Sequence, residues 1–132
     1  SYKYKEAQNT ATSKEYSIIF RLEELYFIKL EANLFLEKQQ LALNTWNFMR
    51  NRYGLPLLNE IPVDWKTKLL EDRSHEFFCE LGHRFFDLKR FKKLDNILRP
   101  IKINWKTYHE NWPLPEAELL VNTNLIPQNY GY

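Results

Sequence analysis

Glycine is scarce in this chain, at three of 132 residues, and cysteine and methionine occur once each. So few glycines leave no loop to cradle a phosphate and no strand-to-helix elbow to expose a nucleophilic serine. A lone cysteine excludes an internal disulfide framework and leaves the redox compartment open. Charge of one sign is also missing. With 19 Lys and Arg against 17 Asp and Glu, and only short like-charge runs, nothing electrostatic points to nucleic acid or an anionic membrane surface as a partner. No stretch approaches the roughly 18 apolar residues that a membrane-spanning helix needs. The opening SYKYKEAQNTATSKEY lacks the basic, apolar and small-residue blocks of a signal peptide and starts without Met, which reads as a fragment or a processed chain.

What remains is a chain with enough apolar and aromatic residues for a sizeable core, one domain or a piece of one. Thr12 to Glu15, TSKE, has capping-box form. Behind it Ile18, Leu22, Leu25, Ile28, Ala32 and Phe35 recur at steps of three and four, which predicts a helix to about Glu37 buried on that face. LALNTWNFMRNRYG predicts a second helix with Ala42, Trp46, Met49 and Tyr53 on one stripe. Gly54 would end it in the left-handed region and Pro56 forbids its continuation. The two make a helical hairpin over about 13–54. From Leu22 to Gly54 it is about 33 residues long, near the ~34 of a tetratricopeptide unit, but no second copy follows.

Residues 55–63 read as a proline-punctuated linker packed on the surface. Asp64 then suits the N-cap of a third helix, from Trp65 to about Glu80. Gly82 interrupts a run rich in helix formers, where a mid-helix glycine costs about 1 kcal/mol against alanine. At a helix end that penalty disappears, so Gly82 is expected to join two helices over about 64–91. Residues 92–132 hold most of the prolines. They read as an extended tail over the helices, with a turn at Asp95 to Leu98 and a short helix near Pro115 to Leu120. The fold class is all-α.

Three constellations could carry chemistry. His75, Cys79 and His83, with Glu76 and Glu80 beside them, have the spacing of zinc ligands on one continuous helix. A break at Gly82 rotates His83 off that face, so the expectation is a buried cysteine, two locally bonded histidines and no metal. Neighbouring carboxylates such as Glu23/Glu24, Glu71/Asp72 and Glu116/Glu118 are ordinary helix-surface pairs, and no residue is assigned a catalytic role. Arg73 with Glu76, Arg84 with Asp87 and Asp87 with Arg90 can pair along their helices. Phenylalanines interleave with them, so some of these charges should be partly buried and fix the joint at Gly82. Finally, Trp105, Tyr108, His109 and Trp112 could stack on sugar rings or anchor the tail to the core, and anchoring is the expected role.

Four stretches in order carry a resemblance. They are RLEELYFIKLEA from Arg21, LNTWNFMRNRYGL from Leu43, EDRSHEFFCELGHRFFDLKR from Glu71 and the closing NWPLPEAELLVNTNLIPQNYGY from Asn111. Together they resemble the C-terminal part of the SusD/RagB family of nutrient-uptake outer-membrane proteins, from about Lys3 to Tyr132. The third stretch matches the family's E-R-x-x-E-L-x-x-E-x-G-H-R-W-F-D-L-K-R. Glu24 departs from the usual alanine, Phe85 from tryptophan and Thr123 from proline.

The resemblance implies cell-surface lipoproteins that cap a SusC-like, TonB-dependent transporter and hand it glycans or other nutrients without cleaving them, with no cofactor. It implies an α-helical fold with tetratricopeptide-type hairpins, with this chain as the C-terminal segment, packing on an upstream part of the same protein. An apolar face should be exposed there. Ligand-contacting residues of the family lie mostly upstream, so Trp105, Tyr108 and Trp112 are the only ligand candidates here, and Arg73, Glu76, Gly82, Arg84 and Asp87 are structural. In this reading Arg84 and Asp87 tie the helix after Gly82 to the one before it, and Cys79, mid-helix, is not the lipidated residue. A purely interaction-based scaffold is the alternative.

Overall fold

A computed structural model describes residues 19–132, and Thr12 to Glu15 and Ile18 lie outside them. The described residues are helical, with no strand among them. They fall into two compact units, one ending at Val63 and the other spanning Asp64–Tyr132.

The first unit is a helical hairpin of α1 (Leu22–Phe35) and α2 (Gln39–Arg52). Phe27, Leu30 and Leu34 from α1 and Ala42, Trp46 and Met49 from α2 are buried and make its core. On α2 the expected stripe is the buried one, apart from Tyr53 at its exposed end. On α1 it is not. Leu22, Leu25, Ile28, Ala32 and Phe35 are all exposed, and the packed face lies nearly opposite. Phe27, Leu30 and Leu34 obey the same three-and-four spacing, so α1 carries two apolar stripes and periodicity alone cannot rank them. The hairpin loop decides, because it fixes the side from which α2 arrives.

That loop closes on a left-handed residue. Glu37 has φ +57°, the Lys38 amide donates to the Asn33 carbonyl at 2.9 Å and the Glu37 amide to Leu34 at 3.2 Å. The same motif recurs where α2 ends. There Gly54 has φ +68°, with Leu55 donating to Arg50 at 2.9 Å and Gly54 to Asn51 at 3.1 Å. The chain then runs back along α2. The Asn47 side chain pairs with both backbone groups of Leu58, each at 2.8 Å, and Arg50 Nε donates to the Pro56 carbonyl at 2.7 Å.

The second unit is built from α3 (Trp65–Glu76), α4 (His83–Arg90), α5 (Leu94–Leu98) and α6 (Glu116–Val121), joined by turns. Asp64 precedes α3 as expected, although its side chain makes no capping bond. α3 stops at Glu76 rather than near Glu80, because the chain bends sharply in the turn that follows, with Cys79 at φ +59°, Leu81 at +40° and Gly82 at +72°. α4 begins directly after Gly82. A Cβ there would meet only the Phe86 ring edge at 3.4 Å, so the backbone angle and not space selects glycine. A third left-handed C-terminus follows α4 at Lys92, φ +54°, where Lys93 donates to Leu88 at 2.8 Å. Leu70, Leu88 and Leu94 form the core, with Phe85, Phe91, Leu98 and Trp105 packed against it.

Candidate functional site

At the meeting of α3 and α4 a buried ion pair takes the central place. Arg73 Nε donates to Asp87 Oδ2 at 2.7 Å, with both side chains only 6% exposed. Arg90 reaches the other oxygen of Asp87 through Nη2 at 3.0 Å and Nε at 3.1 Å. The Arg73 guanidinium also lies over the Phe77 ring, 5.1 Å from its centre. Two cations on one carboxylate keep the pair's residual charge near the surface side of Arg90, and buried charges persist only with such partners. Arg84 does not pair with Asp87. Its Nη1 donates to the Leu70 carbonyl at 3.2 Å, so it ties α4 to α3 through the backbone. Asp87 is buried against Arg73, whereas the exposed Arg84 faces the groove side of α3. Glu76 is half-buried at the last position of α3.

His75, Cys79 and His83 share no helix face. His75 is on α3, Cys79 lies exposed in the turn rather than buried or mid-helix, and His83 opens α4. The His83 ring instead packs on Phe77, 4.5 Å between centres.

The aromatic cluster is assembled by the turn over Thr107–Glu110. Trp105 is half-buried against the leucine core, and its indole N–H donates to Asp95 Oδ1 at 2.7 Å. Thr107 and Arg99 donate to the other Asp95 oxygen at 2.9 and 3.2 Å. These donors, the indole foremost, hold the Asp95 carboxyl below the usual carboxylate range. Tyr108 is half-buried at the centre of a ring cluster with His109, Tyr130 and Tyr132 at 4.6, 6.2 and 5.4 Å. The backbone of Gly131 lies flat on the Tyr108 ring, and any Cβ there would enter the ring.

Around this cluster the tail is sewn down. Gln128 pairs with both backbone groups of Leu114, at 2.7 and 2.9 Å. Asn129 donates to the Trp112 carbonyl at 2.6 Å and the Tyr132 hydroxyl to the Asn111 carbonyl at 2.9 Å. Lys89 on α4 donates to the Glu110 carbonyl at 2.7 Å and to Asn111 Oδ1 at 3.1 Å. Of the three aromatic candidates, then, Trp105 and Tyr108 are anchors. Only Trp112, 71% exposed, presents a ring to solvent. Tyr130, 88% exposed, is a fourth aromatic that sequence reasoning passed over, although the closing QNYGY was in view.

Among the described residues no three His, Cys, Asp or Glu side chains gather as metal ligands, and no helix is long and apolar enough to cross a membrane. No curated protein and no solved structure matches the chain. A family model does. Described as the SusD family, it matches residues 1–111, a span that includes α1 to α5 and the aromatic turn and stops before the last part of the tail. On that match the chain belongs to the SusD family, surface proteins that bind nutrients such as glycans without catalysis and work with SusC-like transporters.

Proposed function

We propose that this protein captures a nutrient, a glycan foremost, at the outer-membrane surface and delivers it unchanged to a SusC-like, TonB-dependent transporter. The single observation that carries this reading is the family match over residues 1–111. Within the chain, Trp112 supports it, as an indole exposed on a segment that Asn129 and Lys89 hold in place, and a rigid exposed indole is what a sugar face stacks on. Arg73, Asp87 and Gly82 have the structural role of setting the angle between α3 and α4, and Arg84 and Glu76 flank that joint. The protein is a lipoprotein of the cell surface in this reading, with an anchor other than Cys79.

A second reading, a helical scaffold that docks a protein partner, draws on α1. Its outer stripe leaves Leu25, Ile28 and Phe35 about half exposed, on the face opposite the hairpin core, and this apolar stripe suits the apolar face of another helix.

The two are separated by co-purification and ligand titration together. The capture reading predicts that the full chain, expressed in its own cells, co-purifies with the transporter and gives a saturable change in Trp fluorescence with a glycan. Co-purification with no response to any sugar offered would replace it with the scaffold. New reducing ends released from a polysaccharide would overturn both.

A further inference from the structure

Between α3, α4 and α5 lies a groove of about 210 Å³ that no part of the aromatic cluster enters. Its bottom is apolar, formed by the buried Leu70 and Leu88, and Ile97 extends the apolar surface toward the opening. Two cations line it, Arg84 and Lys93. Arg84 spends one N–H on the Leu70 carbonyl, which fixes the guanidinium beside the groove and leaves its other donors for a ligand. Neither Arg84 nor Lys93 meets a carboxylate among the described residues, whereas the Glu71 carboxylate at the rim is already held by Lys68 at 3.1 Å. The uncompensated charge of the groove is therefore positive. Thr67 and Asn96 complete the rim with a hydroxyl and an amide, each able to donate and accept.

Every part of this inventory has a counterpart in one kind of molecule. The volume, below the roughly 300 Å³ at which drug-sized ligands begin, takes a single ring. The cations call for an anion, and a planar guanidinium matches a carboxylate with two parallel hydrogen bonds. Ile97 over the leucine bottom calls for an apolar ring face, and the hydroxyl, amide and Glu71 rim for several hydroxyl groups. We infer that the groove of α3, α4 and α5 binds a hexuronate, its carboxylate on Arg84 and Lys93, its C–H face on Ile97 above the leucine bottom, and its hydroxyls on Thr67, Asn96 and Glu71. This names a ligand class for the capture function. It rests on that function for its biological role but not for the binding itself.

Sodium glucuronate, glucose and sodium acetate, titrated calorimetrically into the full chain, test it. Glucuronate is expected to bind, with glucose and acetate each at least about tenfold weaker, since glucose lacks the charge-assisted contact and acetate lacks the ring face and the hydroxyls. R84Q and K93M should each weaken glucuronate by about tenfold with a nearly unchanged melting curve, because Arg84 is exposed and gives up one hydrogen bond to the Leu70 carbonyl, and K93M keeps the alkyl stem. E71Q should raise the preference for glucuronate over glucose, because it removes the one carboxylate from the rim and keeps an amide for a hydroxyl. Glucose binding as well as glucuronate, acetate binding as well as glucuronate, or no glucuronate binding by the unmodified chain would each overturn the proposal. If transporter co-purification persists in that last case, the groove alone has failed and the capture function stands.

Discussion

Glu37 and Lys92 occupy the left-handed backbone region at helix ends where glycine is the usual choice, and they do so in a chain that holds three glycines. A side chain there crowds its own carbonyl at a cost of about 1 kcal/mol. Glu37→Gly and Lys92→Gly should therefore each stabilise their own unit by up to about 1 kcal/mol, offset in part by the freedom glycine regains on unfolding, and urea melts of the two variants check this. Gly82→Ala should act in the opposite direction by a similar amount. At Asp87 the stake is larger. Asp87→Asn takes the carboxylate charge of a pair buried on both sides, which is expected to destabilise the second unit by about 3 kcal/mol. Arg90→Gln removes only the outer, half-solvated partner and should cost about 1 kcal/mol or less in the same urea melt.

Between helices, side-chain amides take the place of secondary structure. Asn47 clamps Leu58 and Gln128 clamps Leu114, each by one donor and one acceptor, so two irregular segments have backbone groups paired without a strand. Gln128→Ala orphans both backbone groups of Leu114 and should loosen the tail by about 1–2 kcal/mol. Gly131→Ala should loosen it further, because Tyr108 must leave its place, and faster carboxypeptidase trimming at Tyr132 would report both.

The Asp95 hub adds a pH dependence. Its carboxyl titrates lower in the folded chain than unfolded, so its contribution is complete above the usual carboxylate range and is lost as pH falls through the lowered folded value. The stability difference between the wild type and Asp95→Asn should therefore shrink on acidification, with the Trp105 indole, its first donor, as the fluorescent reporter.

Much of the element order was legible from local rules. Gly54 and Gly82 announced helix ends through their rarity, Trp46 and Met49 marked the packed stripe of α2, and Pro115 stands directly before α6. What stayed hidden depends on contacts far apart in sequence. Arg84 and Asp87 have the spacing of a helical pair, yet Asp87 takes Arg73, 14 residues away, and nothing local ranks those partners. The two stripes of α1 are equally periodic, so only the fold could choose between them. Exposure of Cys79 followed from the sharp turn after Glu76, a conformation that glutamate, cysteine and leucine do not signal. In the candidate site, anchoring of Trp105 and Tyr108 was the expected role, whereas the exposure of Trp112 and Tyr130 required the turn geometry itself.

At the scale of the whole molecule, residues 1–111 place the chain in a family of binding proteins, and the described residues offer grooves, exposed rings and an apolar helix face. The outer face of α1 is where a further helix would act. Ile28→Lys is predicted to leave the hairpin core and its melt nearly unchanged, because Phe27, Leu30 and Leu34 keep their packing, while weakening any association through that face, read by light scattering or co-purification. The central claim is capture without cleavage, and the most direct measurement is calorimetric titration of the full chain with purified glycans, each recovered afterwards and sized. The account predicts saturable binding of at least one glycan, returned at its original length. Shortened chains with new reducing ends, or no binding across neutral and acidic glycans alike, would contradict it.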